Sequence, residues 1–478
     1  MQSSRHVLCV YPYRSELGRR NGFYPPLGLE IIASALQPFF DAVDVYDLRH
    51  ETGNAVDFLK PDTDLVCFSV NWEREVDAVQ EQIRSIPPGI PTIVGGRHAT
   101  EIPETWLADC PNIDILVRGD GEEIIEEIAG GRPLDEVDGI SYRVDGRIVH
   151  NRVRQNDTVR EDLYPDRKRR RYAYSLDQGG IKGRPFDTMS SSRGCPFNCS
   201  FCSFSRNPWG AKRPWSARSP ESVVREIEEI DAYVVGFIDD NFTHDMDRVE
   251  AICDLILARG IRKRFIANAR VEVARRPEVL EKMERAGFSM LLLGIESAQD
   301  KTLRSMRKGF NTRLLREYFR VLRHSRMVLF GYFIIGNIGE SEEEMMQIAP
   351  FARDLGVDVI QLTVLRNERY STIEELVAAN PGYHIASDGL VYSDRYPPER
   401  LQKIRRRIHK KFYGPQQLLK ILRKAVWSRV PTLRVFSRLP GFLLGQAVAR
   451  FRRKRMRRRR RRLAALAEAD MARAPSSR

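Results

Sequence analysis

Residues 191–206 read SSRGCPFNCSFCSFSR, which brings Cys195, Cys199 and Cys202 together on one short stretch. A structural zinc site needs four protein ligands, and the next histidine along the chain is as far away as His244. A disulfide would leave one of the three thiols over. Three thiolates instead suit a four-iron cluster with one iron left open, and an open coordination position is a place for chemistry. The stretch therefore favours a catalytic iron–sulfur cluster over a structural metal-binding site.

Six strand-like runs, separated by helical patterns, begin at this stretch. They lie at 187–193, 233–239, 264–270, 289–296, 328–336 and 357–364. The helix after the cysteines has Ser219 as its predicted N-cap and Pro220 in its first turn, where both residue types are favoured. A closed barrel of this kind has eight strand–helix units. Six units therefore predict a partial (βα)6 TIM-like barrel over residues 187–385.

Residues 1–135 show a separate alternation of buried strands and amphipathic helices. The strands read HVLCVYP, AVDVYDL, DLVCFSV, PTIVGG and DILVRG, with helical patterns such as PLGLEIIASAL between them. Such apolar strands indicate a parallel sheet covered on both faces, so we predict a doubly wound, Rossmann-like α/β domain. Ligands of these sheets bind at the carboxyl ends of the strands. The candidate contacts are Ser69 and Asn71 after the third strand, and Gly95, Gly96 and His98 after the fourth.

The remaining segments are polar or basic. Residues 136–186 predict a hairpin that turns at Asp145-Gly146, followed by a linker whose basic run, 166–174, is solvated. Residues 386–451 predict basic helices, and residues 452–478 predict a disordered polybasic tail. The net charge is +14, but ten of the first eleven tail residues are basic, so the rest of the chain carries only +4. The basic character therefore belongs to the tail and not to the folded body.

The seven cysteines, an odd number, do not suggest a secretory disulfide framework. Cys9, Cys67 and Cys253 lie in apolar runs, where a free thiol behaves as a small buried hydrophobic group. The N-terminus has no signal-peptide pattern, and no apolar run reaches the roughly 20 residues that span a bilayer. We therefore expect a cytoplasmic protein, with any membrane contact peripheral and on the inner face of the membrane.

The spacing Cys-x-x-x-Cys-x-x-Cys, with an aromatic residue before the last cysteine and a barrel strand in front, resembles the signature of the radical S-adenosylmethionine (SAM) superfamily. The resemblance implies a 4Fe-4S cluster on the three cysteines, with SAM bound at the open iron and cleaved to a 5′-deoxyadenosyl radical. It also implies that Arg270 pairs with the SAM carboxylate and that Glu296 reaches the ribose or amino end. The full set of expected SAM contacts is Phe201, Asp239, Asp240, Arg270, Gly294, Glu296 and Gly336.

The N-terminal domain resembles that of the cobalamin-binding class of the same superfamily. The resemblance rests on FYPPLGLEIIASAL, FSVNW, IVGGRHAT and LVRGDGEE, and with the barrel it covers residues 5–380. It implies a cobalamin cofactor held by the loops after the third and fourth strands. The Asp-x-His-x-x-Gly motif, whose histidine ligates cobalt in many cobalamin proteins, is absent, and His98 does not match it. A substrate-binding or vestigial domain is the alternative.

With both cofactors, the resemblance implies methyl transfer to an unactivated carbon of a lipid, a tetrapyrrole or a secondary metabolite. An oxidative cyclase like the anaerobic magnesium-protoporphyrin ester cyclase is the alternative enzyme. We expect a reductant such as flavodoxin or ferredoxin as a partner. The basic amphipathic stretch 412–462 suggests peripheral contact with an anionic membrane, and helices packed on the barrel are the alternative. An RNA-directed or structural metal-binding protein ranks lowest, so we do not expect a nucleic-acid partner.

Overall fold

The computed structural model describes residues 5–14, 24–73, 75–154, 158–178, 181–207, 209–428 and 430. These residues form two seven-stranded sheets and two short two-stranded ribbons. The predicted disordered tail at 452–478 lies outside the described residues. Within the ranges above, no helix combines the length and the apolar character that crossing a membrane requires.

The first sheet is built by the N-terminal part of the chain. Its strands are β1 (His6–Tyr11), β2 (Ala42–Asp47), β3 (Thr63–Ser69), β4 (Thr92–Gly95), β5 (Ile115–Val117), β6 (Ile140–Val144) and β7 (Arg147–His150). They are arranged in the order β2-β1-β3-β4-β5-β6-β7, with β1 to β5 parallel and the last two strands antiparallel. The intervening helices are α1 (Leu27–Leu36), α2 (Val76–Arg84), α3 (Arg97–Glu101), α4 (Pro103–Asp109) and α5 (Glu122–Ala129). This arrangement confirms the doubly wound α/β class.

The predicted hairpin forms, and it extends the first sheet as β6 and β7. Its turn residues Asp145 and Gly146 both have positive φ, at 49° and 77°. That combination belongs to the tight turns whose twist matches paired strands.

The basic run 166–174 is only partly solvated, which corrects the expectation for the linker: three of its basic side chains are exposed, but the other two form buried ion pairs. Arg170 donates to the Glu30 carboxylate at 2.6 Å and to the Asp187 carboxylate at 2.6 Å. Arg167 donates to Asp187 at 2.9 Å and to Glu226 at 2.7 Å. All these side chains are buried or nearly so. The basic run therefore supplies counter-ions to carboxylates of the N-terminal domain and of the barrel. No local sequence pattern predicts these ion pairs.

The second sheet follows the linker. Its strands are β8 (Ser175–Gln178), β9 (Ile181–Met189), β12 (Val234–Phe237), β13 (Arg264–Ala269), β14 (Phe288–Glu296), β15 (Val328–Ile335) and β16 (Val359–Val364), while β10 (Ser192–Arg193) and β11 (Ser216–Ala217) form a separate ribbon. The order is β16-β15-β14-β13-β12-β9-β8, with all strands parallel except β8. Five of the six parallel strands overlap the predicted runs closely, whereas β9 begins and ends earlier than predicted, and the six together confirm the partial (βα)6 barrel.

Helices cover the outside of this sheet. They are α6 (Pro220–Glu229), α7 (Met246–Ala258), α8 (Pro277–Ala286), α9 (Asp300–Ser305), α10 (Thr312–Leu322), α11 (Glu342–Met346), α12 (Ile348–Leu355) and α13 (Ile373–Ala378). Ser219 is the N-cap of α6 and accepts the Ser222 amide, as predicted. The core between sheet and helices contains a group of packed phenylalanine rings at 237, 242, 265 and 288.

The chain after the barrel is mostly helical, with one correction. A short ribbon of β17 (Tyr383–Ile385) and β18 (Val391–Ser393) precedes the helices, so strands do not stop near residue 385. Helices α14 (Pro398–Phe412) and α15 (Pro415–Ser428) follow. Helix α14 buries Leu401, Ile404, Ile408 and Phe412 against the barrel.

Candidate functional site

The three predicted ligands lie on a loop that leaves the carboxyl end of β9. We call residues 194–215 the cluster loop. Its base is closed by the antiparallel pairing of β10 with β11. Gly194 opens the loop with φ +80°, and a Cβ there would lie 2.5 Å from the Pro214 carbonyl oxygen. The close approach of the two loop ends therefore requires glycine at this position.

Backbone contacts tie the middle of the cluster loop to the barrel. The Ser200 amide donates to the Met306 carbonyl at 3.1 Å, and the Ser200 hydroxyl donates to the Ser305 carbonyl at 3.0 Å. The Thr372 amide donates to the Ser200 carbonyl at 2.9 Å. The segment between the second and third cysteines is thus held at a defined position above the sheet.

The cluster-loop cysteines suit a cluster better than a single ion. All three are free and half-buried. Burial raises the pKa of Cys195, and it raises the pKa of Cys202 to about 12, so metal binding must displace protons from these thiols. Among the described residues, no three His, Cys, Asp or Glu side chains converge closely enough to hold one metal ion. Three thiols on one loop are one ligand short of a structural zinc site, whereas each can bind a different iron of a 4Fe-4S cluster.

Arg270, at the carboxyl end of β13, packs on the cluster loop. Its guanidinium carbon lies 3.6 Å from the centroid of the Phe197 ring, between the first two cysteines. It also donates to the Lys308 carbonyl at 2.6 Å and pairs with Glu272 at 2.7 Å. The structure therefore brings Arg270 to the cluster loop, and its role as a partner of the SAM carboxylate stays a prediction.

The two predicted aspartates occupy different positions after β12. Asp239 is fully buried and accepts the Ser191 amide at 2.7 Å, the Ser191 hydroxyl at 2.5 Å and the Ser192 hydroxyl at 2.7 Å. Burial raises its pKa in spite of these bonds. Asp240 accepts the Gly194 amide at 3.0 Å, and burial raises its pKa to about 6. Asp239 thus holds the strand that leads into the cluster loop, whereas Asp240 lines an open cavity.

Phe201, Gly294 and Glu296 come together around a lysine that the sequence did not single out. Glu296 adopts a left-handed conformation, φ 71°, and pairs with Lys308 at 3.2 Å. The Lys308 ammonium also lies 5.9 Å from the Phe201 ring centroid. A Cβ at Gly294 would lie 2.6 Å from the Glu296 carboxylate, so glycine leaves room for it. Non-glycine residues with positive φ concentrate at functional sites, which supports a role for Glu296.

Gly336 directly follows β15, on a turn that contacts helix α14. It has φ +76°, and a Cβ there would lie 3.1 Å from Leu401 on helix α14. Its contacts are those of a turn packed under the C-terminal helix. The expected SAM contact at Gly336 remains untested by this geometry.

A cavity of about 500 Å³ opens between the carboxyl edge of the first sheet and the cluster loop. Four of the five residues expected to contact cobalamin line it, namely Ser69, Asn71, Gly95 and Gly96. The cluster-loop side contributes Ser203, Phe204 and Arg213, with Asp240 from the barrel. The cavity therefore has one wall from the predicted cobalamin site and one from the cluster loop, and of the predicted SAM contacts Asp240 reaches it.

Gly96 shapes the first-sheet wall of this cavity. It has φ +104° and ψ 171°, a region that only glycine occupies readily. A Cβ at Gly96 would lie 2.6 Å from the Val70 carbonyl oxygen and 2.7 Å from the Asn71 side chain. The loops after β3 and β4 therefore touch through glycine, and together they form a cradle at this wall of the cavity. This fits the cobalamin implied by the sequence.

His98 does not line the cavity, in contrast to its predicted role. It is buried in α3 with its ring edge-on to Trp106 at 5.8 Å, and burial lowers its pKa. Its position in a glycine-rich loop suggested a ligand, but the helical turn directs its ring to the interior of the domain. No other histidine of the described chain lines this cavity.

The sequence also missed the charged residues between the two walls. Asp120, Arg193 and Arg213 line the cavity, and Asp120 forms an ion pair with each of the two arginines. Single charged residues in loops give no local signal, because their partners are far away in the sequence.

Two family models match the chain over the two sheets. A model described as the radical SAM superfamily matches residues 189–379, and one described as the B12 binding domain matches residues 17–129. The radical SAM match contains the cluster loop. The B12 match contains the four cavity-lining residues that were expected to contact cobalamin. Both resemblances drawn from the sequence are confirmed.

Curated relatives share this domain combination. An uncharacterized methyltransferase of Pyrococcus horikoshii is 28% identical, with 88% of this chain and 95% of that protein covered. The anaerobic magnesium-protoporphyrin IX monomethyl ester cyclase of Cereibacter sphaeroides is 26% identical over 74% of this chain and 60% of the cyclase. The hopanoid C-3 methylase of Methylococcus capsulatus is 30% identical over 63% of this chain and 59% of the methylase.

A solved structure has the same fold. The radical S-adenosylmethionine methyltransferase TsrM of Kitasatospora setae, determined with cobalamin and a 4Fe-4S cluster bound, superposes with a TM-score of 0.66. The sequences are 17% identical, and 86% of this chain and 90% of TsrM are covered. The chain therefore combines a radical SAM domain with a B12 binding domain, and these two domains imply a 4Fe-4S cluster, SAM and cobalamin as its cofactors.

Proposed function

We propose that this enzyme transfers a methyl group to an unactivated carbon of a largely apolar small molecule. The observation that carries the proposal is the single cavity with the cobalamin-binding strand ends on one side and the cluster loop on the other. When bound, SAM supplies a carbon-centred radical at the cluster and methylcobalamin supplies the methyl group. The residues of this chain bind and orient the substrate between them and exclude water.

The cavity wall favours a lipid, a tetrapyrrole or another extended secondary metabolite as the substrate. The wall of the first sheet includes apolar side chains such as Phe68, Ile93 and Val117, and Phe204 and Ile238 add apolar surface from the other side. Eight charged residues also line the cavity, among them Asp240 and Arg213, and such groups orient the polar parts of a bound substrate. The hopanoid methylase and the magnesium-protoporphyrin ester cyclase among the relatives fit this substrate class.

Labelled SAM tests methyl transfer. The reduced, cobalamin-loaded enzyme is incubated anaerobically with SAM carrying a deuterated methyl group and candidate hopanoid or tetrapyrrole substrates, and the products are analysed by mass spectrometry. A product with the labelled methyl group supports the proposal. An oxidised, cyclised product without the label would support the cyclase alternative, which the cyclase relative favours.

The cysteine ligands have a matched control in the same barrel. Replacing Cys195, Cys199 or Cys202 by Ala should remove the open-iron cluster and abolish formation of 5′-deoxyadenosine, because each thiolate binds its own iron. Cys253→Ala changes a buried cysteine in α7, remote from the cluster loop in the sequence, and should retain SAM cleavage. SAM cleavage at the unaltered rate by a variant in which all three cysteines are replaced by Ala would contradict the cluster assignment.

Contact with the cytoplasmic membrane surface is a further part of this proposal. Helix α15 is held to the barrel on one face by Lys420 and Lys424, which pair with the buried Asp358 at 2.8 Å and 2.7 Å. The opposite face is apolar and exposed, at Leu418, Leu419, Leu422 and Val426. An outward apolar face next to exposed basic residues suits an anionic bilayer, from which a lipid-like substrate is drawn.

Point variants test this contact better than truncation, because α15 also caps the barrel. The double variant Leu418→Ser, Leu422→Ser should lower flotation of the full-length protein with phosphatidylglycerol vesicles. Val144→Ser, Val153→Ser removes comparably exposed apolar groups elsewhere and should leave flotation unchanged. Equal flotation of both double variants would argue against α15 as the contact.

The electron donor is proposed to be a flavodoxin or ferredoxin. The test is whether either protein replaces a chemical reductant in SAM cleavage.

A further inference from the structure

One carboxylate of the cobalamin-binding domain joins the two ends of the cluster loop. Asp120 lies in the turn between β5 and α5. It pairs with Arg193 at 3.2 Å, just before the first cysteine, and with both terminal nitrogens of Arg213 on the returning side of the loop. Glu122 adds a second contact to Arg193. The base of the loop therefore depends on a side chain from another sheet.

The bridge lies in a poorly solvated place. The side chains of Asp120, Arg193 and Arg213 are only 21%, 25% and 16% exposed. Burial by itself raises the pKa of Asp120, but the charges of the two arginines outweigh burial and hold the pKa below its ordinary value. The bridge is thus a set of charge-assisted contacts, which are stronger than neutral hydrogen bonds.

The same turn also lines the cavity. Gly119 and Gly121, on either side of Asp120, are part of the wall, together with both arginines. Gly119 has φ +94°, so the turn has a conformation that a residue with a side chain rarely adopts. A ligand that fills the cavity contacts the turn from which Asp120 reaches the cluster loop.

We propose that Asp120 is a positioning residue which, from the cobalamin-binding domain, sets the geometry of the cluster loop by holding Arg193 and Arg213 together. Without its charge, Arg193 keeps Glu122, but Arg213 loses its carboxylate partner, so the link between the two ends of the loop is lost. The loop base is then held by the β10–β11 pairing without this link and loosens, which disturbs the mutual arrangement of the three thiolates. The inference rests on the cluster assignment and is independent of whether the enzyme methylates or cyclises its substrate.

Hydrogen exchange of the full-length protein tests the proposal without any cofactor. In the Asp120→Asn variant, the amide hydrogens of residues 194–213 should exchange roughly tenfold faster than in the unaltered protein, because charge-assisted contacts are lost. The matched control is Glu123→Gln, which removes a neighbouring carboxylate that pairs with Arg154 at 3.1 Å and not with the cluster loop. The control should leave exchange in the loop unchanged.

Spectroscopy of the reconstituted cluster gives a second readout. The reduced cluster of Asp120→Asn should show altered electron paramagnetic resonance g-values and a smaller change on adding SAM, and Asp120→Glu should restore both in part. Unchanged loop exchange and unchanged spectra in Asp120→Asn would overturn the proposal. Faster exchange spread evenly over both sheets would also overturn it, since that is the signature of general destabilisation. If Asp120→Asn does not fold, Arg213→Gln removes one arm of the bridge and carries the same expectations.

Discussion

Replacing Gly96 by alanine should remove cobalamin binding while leaving the barrel intact. Gly96 has φ +104° and ψ 171°, and holding a residue with a side chain in this region costs about 1–3 kcal/mol. The new Cβ would also lie 2.6 Å from the Val70 carbonyl oxygen, which is backbone and cannot rotate away. Such overpacking typically costs a further 1–3 kcal/mol or so. The loops after β3 and β4 relieve this strain by separating, which distorts the cavity wall.

The assay is the corrin absorption of protein produced with hydroxocobalamin, measured per mole of polypeptide. A distortion worth more than about 1.4 kcal/mol of binding free energy lowers the affinity at least tenfold. The control is Gly89→Ala, since Gly89 also has a positive φ, +93°, but a Cβ there would meet nothing within 4 Å. It carries conformational strain without the clash and should retain the corrin. Equal corrin content in the two variants would refute the cradle formed by Gly96.

Two further predictions concern the barrel. Gly194→Ala should lower the iron content after anaerobic reconstitution, because its Cβ would lie 2.5 Å from the Pro214 carbonyl oxygen. The control Gly339→Ala, at a glycine with φ +73° and open space around it, should reconstitute normally. Equal iron contents in the two variants would contradict the closed loop base. Burial raises the pKa of Glu340 to about 7 from an ordinary 4.5, so the folded state binds this proton more tightly and loses stability as pH rises from about 4.5 to about 7. Glu340→Gln should therefore raise the unfolding free energy by roughly 3 kcal/mol at pH 8 and leave it unchanged at pH 4; parallel pH profiles of the two proteins would show that the carboxyl is not buried as described.

Local patterns predicted the parts of the fold and site that depend on local chemistry. The strands of both sheets follow from runs of apolar residues, and the cluster loop follows from the spacing of three cysteines. The cavity-lining positions Ser69, Asn71, Gly95 and Gly96 follow from a topological rule, since parallel strands present their carboxyl ends at one edge. These predictions required no knowledge of which distant residues meet.

The expectations that differ from the structure concern residues whose environment depends on contacts with other parts of the chain. The basic run 166–174 looked solvated because charge runs usually are, but Arg167 and Arg170 find carboxylates 17 to 140 residues away. His98 was placed in the right loop, but a single turn of helix directs its ring toward Trp106. Lys308 had no motif around it, and only the ion pair with Glu296 singles it out.

The junction around Arg170 shows what the buried charges contribute. Glu30 of the first domain and Asp187 of the barrel both accept hydrogen bonds from this one guanidinium. Burial raises the pKa of Glu30 by more than the charge of Arg170 lowers it, so the pairing does not fully offset the desolvation of the carboxylate. A buried ion pair of this kind is better explained by direction than by strength, since a bidentate guanidinium fixes both distance and angle. Because the cavity has one wall from each sheet, a fixed angle between the sheets is a condition for placing the two cofactors on opposite sides of one substrate.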